Sequence, residues 1–118
     1  MSARLVPDPR GLLARVAGEL DLATAPVLDQ VLRTATRLLS AAPGTDADQG
    51  LWVDLAGLQS VDVDGLAPLR TASQRLLSQG RQLHLTVVPA IVLRLLDRLP
   101  DPQLLRAAVL PEFRVGPA

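Results

Sequence analysis

Residues 58–66 read LQSVDVDGL, and the pattern changes within this stretch from that of a strand to that of a helix. Two carboxylates flank a single apolar residue, Val63, and a glycine follows. Apolar residues then recur at the three-and-four spacing of one helix face. The stretch is therefore predicted to be a strand-to-helix loop that presents Val63 beside the start of a helix.

The segments on either side of this loop predict a strand and a helix. Residues 51–55 are almost continuously apolar, which is typical of a parallel strand covered on both faces. The helix is predicted to begin at Asp64 or Gly65, because Pro68 is tolerated only in a first turn, and Gly80 is a suitable stop signal. Its buried face is predicted to contain Leu66, Leu69, Leu76 and Leu77.

The N-terminal part predicts a hairpin followed by a helix. Residues 3–6 alternate, residues 7–11 combine two prolines with a glycine, and residues 12–20 are again rich in apolar side chains, as in two strands joined by a turn. Thr24 is a candidate N-cap with Pro26 in the first turn. The apolar stripe of this helix is predicted to be Leu28, Val31, Leu32, Ala35, Leu38 and Leu39.

The remaining segments predict a loop, a strand, a helix and a last strand. Residues 40–50 are polar and small, and we expect a mobile loop there. Residues 83–88 form a further apolar run, Pro89 opens a third helix, and residues 104–110 are a candidate last strand. The inward positions of the third helix are predicted to be Ile91, Leu95 and Leu99.

Strands that alternate with helices after a hairpin imply right-handed crossovers and a parallel sheet. The chain has 118 residues, near the usual size of one domain. We therefore predict a single α/β domain over residues 1–118. It should contain a four- to five-stranded, mostly parallel sheet with one antiparallel edge, flanked by three to four helices.

Composition removes several classes of function. The twelve basic residues are all Arg and balance twelve acidic ones, there is no Cys, and the two aromatic residues are Trp52 and Phe113. Thiol chemistry and a Walker-type lysine are therefore excluded. We do not expect nucleic acid as a partner, since the sequence has no basic run and too few aromatic residues to stack on bases. No apolar run is long enough to insert into a membrane, and we expect a cytoplasmic protein.

The carboxyl ends of the predicted strands carry acidic residues, namely Asp21, Asp54, Asp62 and Asp64. In open α/β sheets, functional groups gather outside the carboxyl ends of the strands. Clustered carboxylates can bind Mg²⁺, but helix caps and turns account for Asp21, Asp62 and Asp64 without a metal. We therefore expect no metal and no cofactor.

Four segments together resemble one family. Residues 18–26, 53–58, 61–66 and 80–85 are similar, in order and spacing, to the motifs of the STAS family, which includes the anti-sigma factor antagonists. The resemblance covers nearly the whole chain. It implies a small regulatory domain that binds a protein partner, such as an anti-sigma factor that is also a serine kinase.

The resemblance also implies a change at the regulatory position. In similar antagonists the loop carries a serine that the kinase phosphorylates, and Asp62 and Gly65 match the residues around it. Val63 stands at the phosphoacceptor position and has no hydroxyl, so phosphorylation there is chemically impossible. Asp64 is one position late and carries one charge, so it does not mimic phosphoserine. Ser60 remains a substitute phosphosite, against the commoner interpretation as a turn serine.

The leading hypothesis is a non-enzymatic regulator that binds an anti-sigma factor or a similar partner through the 62–66 loop and the adjoining helices. The alternative is a structural STAS subunit of a transporter or signalling assembly, such as a lipid-transport system. Nucleotide binding at the helix start is a third possibility, which the crowding of carboxylates opposes. The predicted contact residues are Asp21, Asp54, Asp62, Val63, Asp64, Gly65 and Leu66.

Catalysis has little support in the sequence. Asp62 and Asp64 could act as an acid–base pair, but no nucleophile, metal ligand set or oxyanion-stabilising cation accompanies them. His84 lacks catalytic partners and is expected to be structural. Trp52 is predicted to pack in the core.

Overall fold

The computed structural model describes residues 1–41 and 49–110. The predicted mobile loop at 40–50 therefore lies mostly outside the described residues. The elements are, in order, β1 (Ser2–Asp8), β2 (Gly11–Leu20), α1 (Ala25–Ala41), β3 (Gly50–Val61), a short 3₁₀ helix (Asp64–Leu66), α2 (Ala67–Ser78), β4 (Leu83–Thr86), α3 (Ala90–Leu95), a second 3₁₀ helix (Leu96–Arg98) and α4 (Pro102–Arg106).

The sheet has four strands in the order β1-β2-β3-β4. β1 and β2 pair antiparallel, whereas β2–β3 and β3–β4 pair parallel. In the hairpin turn the Asp8 carboxylate accepts a hydrogen bond of 2.9 Å from the Arg10 N–H. The predicted single α/β domain, with a mostly parallel sheet and one antiparallel edge, is confirmed.

The two faces of the sheet differ sharply. Ala14, Val53 and Leu85 are register partners on one face and belong to the apolar core shared with the helices. Side chains alternate along a strand, so Leu13 and Trp52 lie on the opposite face, which we call the open face. The Trp52 ring is 7% exposed, but Arg10 and His84 contact it there. The prediction that Trp52 is a buried packing residue is therefore confirmed, although it lies outside the cluster shared with the helices.

Several predicted inward residues are exposed, because the apolar stripes of α1 and α2 were drawn too wide and that of the third helical segment was placed one residue too early. Leu38 is 52% exposed, Leu77 49% and Ile91 38%. In the third helical segment the buried positions are Val92, Leu96 and Leu99, and neighbouring residues are rotated by about 100° around a helix axis. Val31 and Leu95 are half-buried for the same reason.

The chain after the third helical segment does not form the predicted strand. Pro102 opens the short helix α4, as proline does well in a first turn. Only a single bridge, between Val109 and Leu85, extends the sheet there. The run at 104–110 was ambiguous, because a short apolar segment does not distinguish a strand from a buried helix by periodicity.

β3 is longer than predicted and continues to Val61. Its pairing with β2 shifts between Arg15 and Ala17, and again between Gly18 and Glu19, and at each shift β3 contributes one extra residue. These are β-bulges, which bend a strand and increase its twist. β4 ends opposite Asp54, so the second half of β3 pairs with β2 alone and carries the chain to the candidate site.

Candidate functional site

The predicted loop at 58–66 is in fact a tight turn, because β3 extends through Val61 and the 3₁₀ helix begins at Asp64. Leu20 and Val61 are register partners at the ends of β2 and β3. The Asp62 N–H donates a hydrogen bond of 3.0 Å to the Leu20 carbonyl. The turn is therefore attached to the carboxyl ends of two parallel strands. We call this region, residues 19–24 and 60–66, the loop end.

Asp62 shapes the turn with its side chain. Its Oδ1 accepts a hydrogen bond of 2.9 Å from the Gly65 N–H, and its carbonyl lies 3.2 Å from the same nitrogen. The carboxylate thus satisfies a backbone donor at the start of the 3₁₀ helix, where such donors lack partners. The interpretation of Asp62 as a turn residue agrees with this geometry.

Gly65 is required because the turn passes close to β2. A Cβ at this position would lie 2.5 Å from the Leu20 carbonyl oxygen and 2.8 Å from the Leu20 Cγ. Leu66, the next residue, is fully buried in the core. Gly65 and Leu66 were predicted to contact a partner, but both are buried and can act only by fixing the shape of the turn.

Val63 and Asp64 are the residues that the turn presents. Val63 has helical backbone angles (φ −65°, ψ −33°) and is half-buried, with part of its side chain against the core. Asp64 is exposed. The predicted presentation of Val63 beside a helix start is therefore observed, with an acidic side chain next to it.

Asp21 lies in the neighbouring turn and begins α1 together with Thr24. Asp21 Oδ1 accepts a hydrogen bond of 3.0 Å from the Thr24 N–H, and Thr24 Oγ1 accepts one of 2.9 Å from the Asp21 N–H. The Thr24 hydroxyl in turn lies 2.9 Å from the Glu19 carbonyl. This reciprocal pattern is a capping box in which Asp21 is the cap, whereas the sequence suggested Thr24.

Leu22 is the residue at this end that sequence reasoning missed. It lies in the same turn as Asp21 and is 69% exposed, an unusual position for a large apolar side chain so close to a set of carboxylates. Leu22 falls outside the periodic apolar stripe of α1, and this could have indicated from the sequence that it is exposed. An isolated exposed leucine is common, but Leu22 sits beside the strand end to which the turn of Val63 is attached.

Asp54 is separated from the other acidic residues. It pairs with Arg15 and Thr86 in the middle of β3, and its Oδ1 accepts a hydrogen bond of 2.9 Å from the Ala56 N–H. The prediction that it lies at the carboxyl end of its strand is wrong, because the bulged second half of β3 extends beyond it.

Ser60 is exposed near the end of β3 and is the register partner of Glu19. It is a strand residue and not the turn serine that the sequence suggested. Glu19 adds a fourth acidic residue to the loop end, beside Asp21, Asp62 and Asp64. A phosphoryl group on Ser60 would therefore enter an already acidic environment.

Neither a metal nor a catalytic constellation is found within residues 1–41 and 49–110. No group of three or more His, Cys, Asp or Glu side chains is arranged there to hold a metal ion. His84 lies on the open face of the sheet, with its ring centroid 4.5 Å from that of Trp52. Burial and the nearby charge of Arg10 lower the pKa of His84.

A family comparison agrees with these features. The STAS domain model matches residues 3–101. The chain belongs to the STAS family. No curated protein sequence matches it. No helix within the described ranges has both the length and the apolar character needed to cross a bilayer.

Solved structures share the fold of this STAS domain at low sequence identity. The unphosphorylated anti-sigma factor antagonist SpoIIAA is 14% identical with a TM-score of 0.63, covering 99% of this chain and 90% of that one. The phosphorylated form of SpoIIAA from Bacillus is 13% identical with a TM-score of 0.66, covering 98% and 92%.

Transporter proteins contain the same fold. The murine anion transporter Slc26a9 is 21% identical with a TM-score of 0.62, and the match covers 85% of this chain but 16% of the transporter. A sulfate transporter family protein from Wolinella succinogenes is 17% identical with a TM-score of 0.62, covering 88% and 79%. The fold is thus common to antagonists and transporter proteins.

Proposed function

We propose that this STAS domain is a non-enzymatic regulator that binds a protein partner at its loop end, with an anti-sigma factor or a similar protein as the partner class. The observation that carries the proposal is the exposure of Leu22 and Asp64 beside the half-buried Val63, on two adjoining turns that hydrogen bonds to the backbone hold in place. A rigid turn loses little conformational entropy on binding, which favours affinity.

The contact set is narrower than the one the sequence suggests. Leu22 and Val63 supply apolar area, and Asp64 and the outer parts of Asp21 and Asp62 supply charge. Gly65 and Leu66 hold the turn in place. Asp54 is left out, because it lies on the open face in the middle of β3.

The lost hydroxyl at Val63 decides how binding is regulated. Phosphorylation adds about −1.5 to −2 charges and can release a partner by repulsion. Valine offers no such switch, so binding at this turn is constitutive or is controlled at another residue. Ser60, exposed and two residues before Asp62, is the hydroxyl closest to Val63 in sequence and could replace it.

A pull-down from native cytoplasm tests the contact surface. Val63→Arg should lower capture of the partner by roughly tenfold or more, since a buried charge at an interface centre is not compensated. Leu77→Arg is the matched control, because Leu77 is 49% exposed and lies on α2 away from the turn. Equal capture by both variants would contradict binding at the loop end.

Intact mass spectrometry tests the regulation separately. The protein is incubated with ATP and the anti-sigma kinase encoded nearest to it, and we expect no stoichiometric gain of phosphate. A phosphate that maps to Ser60, and disappears in Ser60→Ala, would replace constitutive binding with a shifted phosphoswitch.

The second candidate function is a structural STAS subunit of a transporter or signalling assembly. The structural likeness to Slc26a9 and to the sulfate transporter family protein favours it, and it also needs no phosphosite. Native mass spectrometry of the captured complex distinguishes the two functions: a membrane transporter component supports the second, and an anti-sigma factor the first.

A further inference from the structure

A groove lies between the C-terminal halves of α1 and α2, at the far end of the domain. We define the far end as the hairpin turn at 8–11, the starts of β3 and β4, and the ends of these two helices. The groove has a volume of about 760 Å³, and Arg33, Arg37, Arg75 and Gln79 are among its lining residues. Arg33 is about 12 Å along α1 from the helix start, so the groove is separate from the turn of Val63.

The charge of this groove is uniformly positive. Its lining contains three arginines and, within the described part of the chain, no acidic side chain. Asp29, just outside the lining, accepts a 2.7 Å hydrogen bond from Arg33 Nε, which leaves the terminal nitrogens of that guanidinium available. The unbalanced positive charge is not evident from the net charge of zero.

The other two guanidinium groups have little to bind within the protein. Arg37 makes one long contact of 3.4 Å with Thr34 Oγ1. Among the described residues no hydrogen bond or ion pair engages the Arg75 guanidinium. Arginine presents five N–H donors in a planar fork that suits carboxylates, so the groove holds several donors that have no acceptor within residues 1–41 and 49–110.

The arrangement favours carboxylates along a peptide over a nucleotide. Arg33 and Arg37 are one helical turn apart, about 6 Å, and Arg75 faces them from α2. Among the described residues no aromatic side chain lines the groove to stack on a base.

A contact between the helices gives the groove a defined end. Ser40 Oγ lies 2.7 Å from Gln79 Oε1 and joins the last turn of α1 to the residue that follows α2. We propose that this groove binds an acidic segment of a protein partner through Arg33, Arg37 and Arg75. This site is additional to the loop end and does not depend on the function proposed there.

A purely structural role would also account for the arginines near the helix ends. Cations near helix C-termini stabilise the helix dipole, and that role predicts a change in stability without any ligand. Binding instead predicts a loss of affinity that depends on position. The test therefore measures affinity and stability on the same variants.

The probe is a fluorescein-labelled peptide of about ten glutamates, followed by fluorescence anisotropy at about 50 mM salt, where surface charges are weakly screened. The double variant R37Q/R75Q should raise Kd by roughly tenfold, as expected for the loss of two ion pairs of this kind. The matched control is R4Q/R15Q, since Arg4 and Arg15 are register partners on the open sheet face. This control removes the same charge and should change Kd by less than about twofold.

Amide chemical shifts of the wild-type protein locate the peptide independently of any variant. We expect perturbations at residues 30–41 and 75–79. Three results would overturn the proposal: no binding of the glutamate peptide, equal weakening by the two double variants, or perturbations at the starts of the helices. A glutamine peptide of the same length should not bind, and thermal unfolding should show that both double variants are folded.

Discussion

The loop end and the far end of this domain are built in opposite ways. At the loop end the carboxylates of Asp21 and Asp62 bind backbone N–H groups, and a glycine allows the turn to contact β2. At the far end, arginine side chains cover an aromatic ring and line a groove. One end is shaped by the backbone and the other by long side chains.

The difference shows where side chains are free to bind. At the loop end the carboxylates of Asp21 and Asp62 are engaged in backbone hydrogen bonds. The residues that remain available to a partner are Leu22, Val63 and Asp64. At the far end the Arg37 guanidinium makes one long hydrogen bond, and that of Arg75 makes none among the described residues. The two ends therefore present an apolar, acidic surface and a basic groove on one chain whose net charge is zero.

The largest expected effect is that of Gly65→Ala at the loop end. The added Cβ would lie 2.5 Å from a backbone carbonyl oxygen, and that oxygen belongs to a strand that cannot move independently. Overpacking of this kind should lower the free energy of unfolding by about 3 kcal/mol, measured by urea denaturation. The corresponding fall in Tm is roughly 10 °C for a domain of this size.

Gly80→Ala makes the matched change at the far end, just after α2. A Cβ there meets no atom within 4 Å, but the backbone has φ +73°. The cost is therefore only that of the left-handed conformation, about 1 kcal/mol. Equal losses for Gly65→Ala and Gly80→Ala would mean that the turn is not held against β2 as described.

The two ends also differ in how far the sequence predicted them. The turn of Val63 was predicted at the right place, because paired carboxylates, a glycine and a helical pattern have local structural causes. The basic groove was not predicted, since Arg37 and Arg75 are far apart in sequence and meet only when α1 packs on α2. Local patterns do not indicate such pairs.

Errors in the predicted fold have the same origin. The order of the elements and the parallel sheet followed from periodicity, whereas the length of β3 did not, because its two bulges depend on pairing with β2. Leu38 and Leu77 were assigned inward from spacing alone, but they lie at the edges of their apolar stripes and packing leaves them exposed. The sequence thus predicted the fold class more accurately than it predicted which residues are exposed.

A smaller effect is expected from Ser40→Ala, which removes the contact between the ends of α1 and α2. Ser40 Oγ lies 2.9 Å from the Thr36 carbonyl and 2.7 Å from Gln79 Oε1. An exposed hydrogen bond of this kind contributes about 0.5 kcal/mol to the free energy of unfolding.

Ser78→Ala is the control for Ser40→Ala, because Ser78 Oγ binds a carbonyl of its own helix, that of Arg75, and joins no other element. The difference between the two variants in urea denaturation isolates the bond between the helices. If Ser78→Ala costs as much as Ser40→Ala, that bond does not stabilise the far end.

The smallest expected effect concerns His84, whose side chain is only partly buried beside Trp52 and Arg10. Burial first, and the charge of Arg10 second, lower the pKa of His84 from its ordinary value of 6.5. The unfolded chain therefore binds a proton more readily than the folded one, so stability from this group is complete above pH 6.5 and falls as the pH drops through the folded pKa.

Wild-type Tm should decrease between about pH 7.5 and pH 5.5, a range that lies above the titration of the carboxylates. His84→Gln should show a smaller decrease, and Arg10→Gln an intermediate one because it removes only the second cause. If His84→Gln shows the same pH dependence as the wild type, the histidine is not buried against the far end in its neutral form.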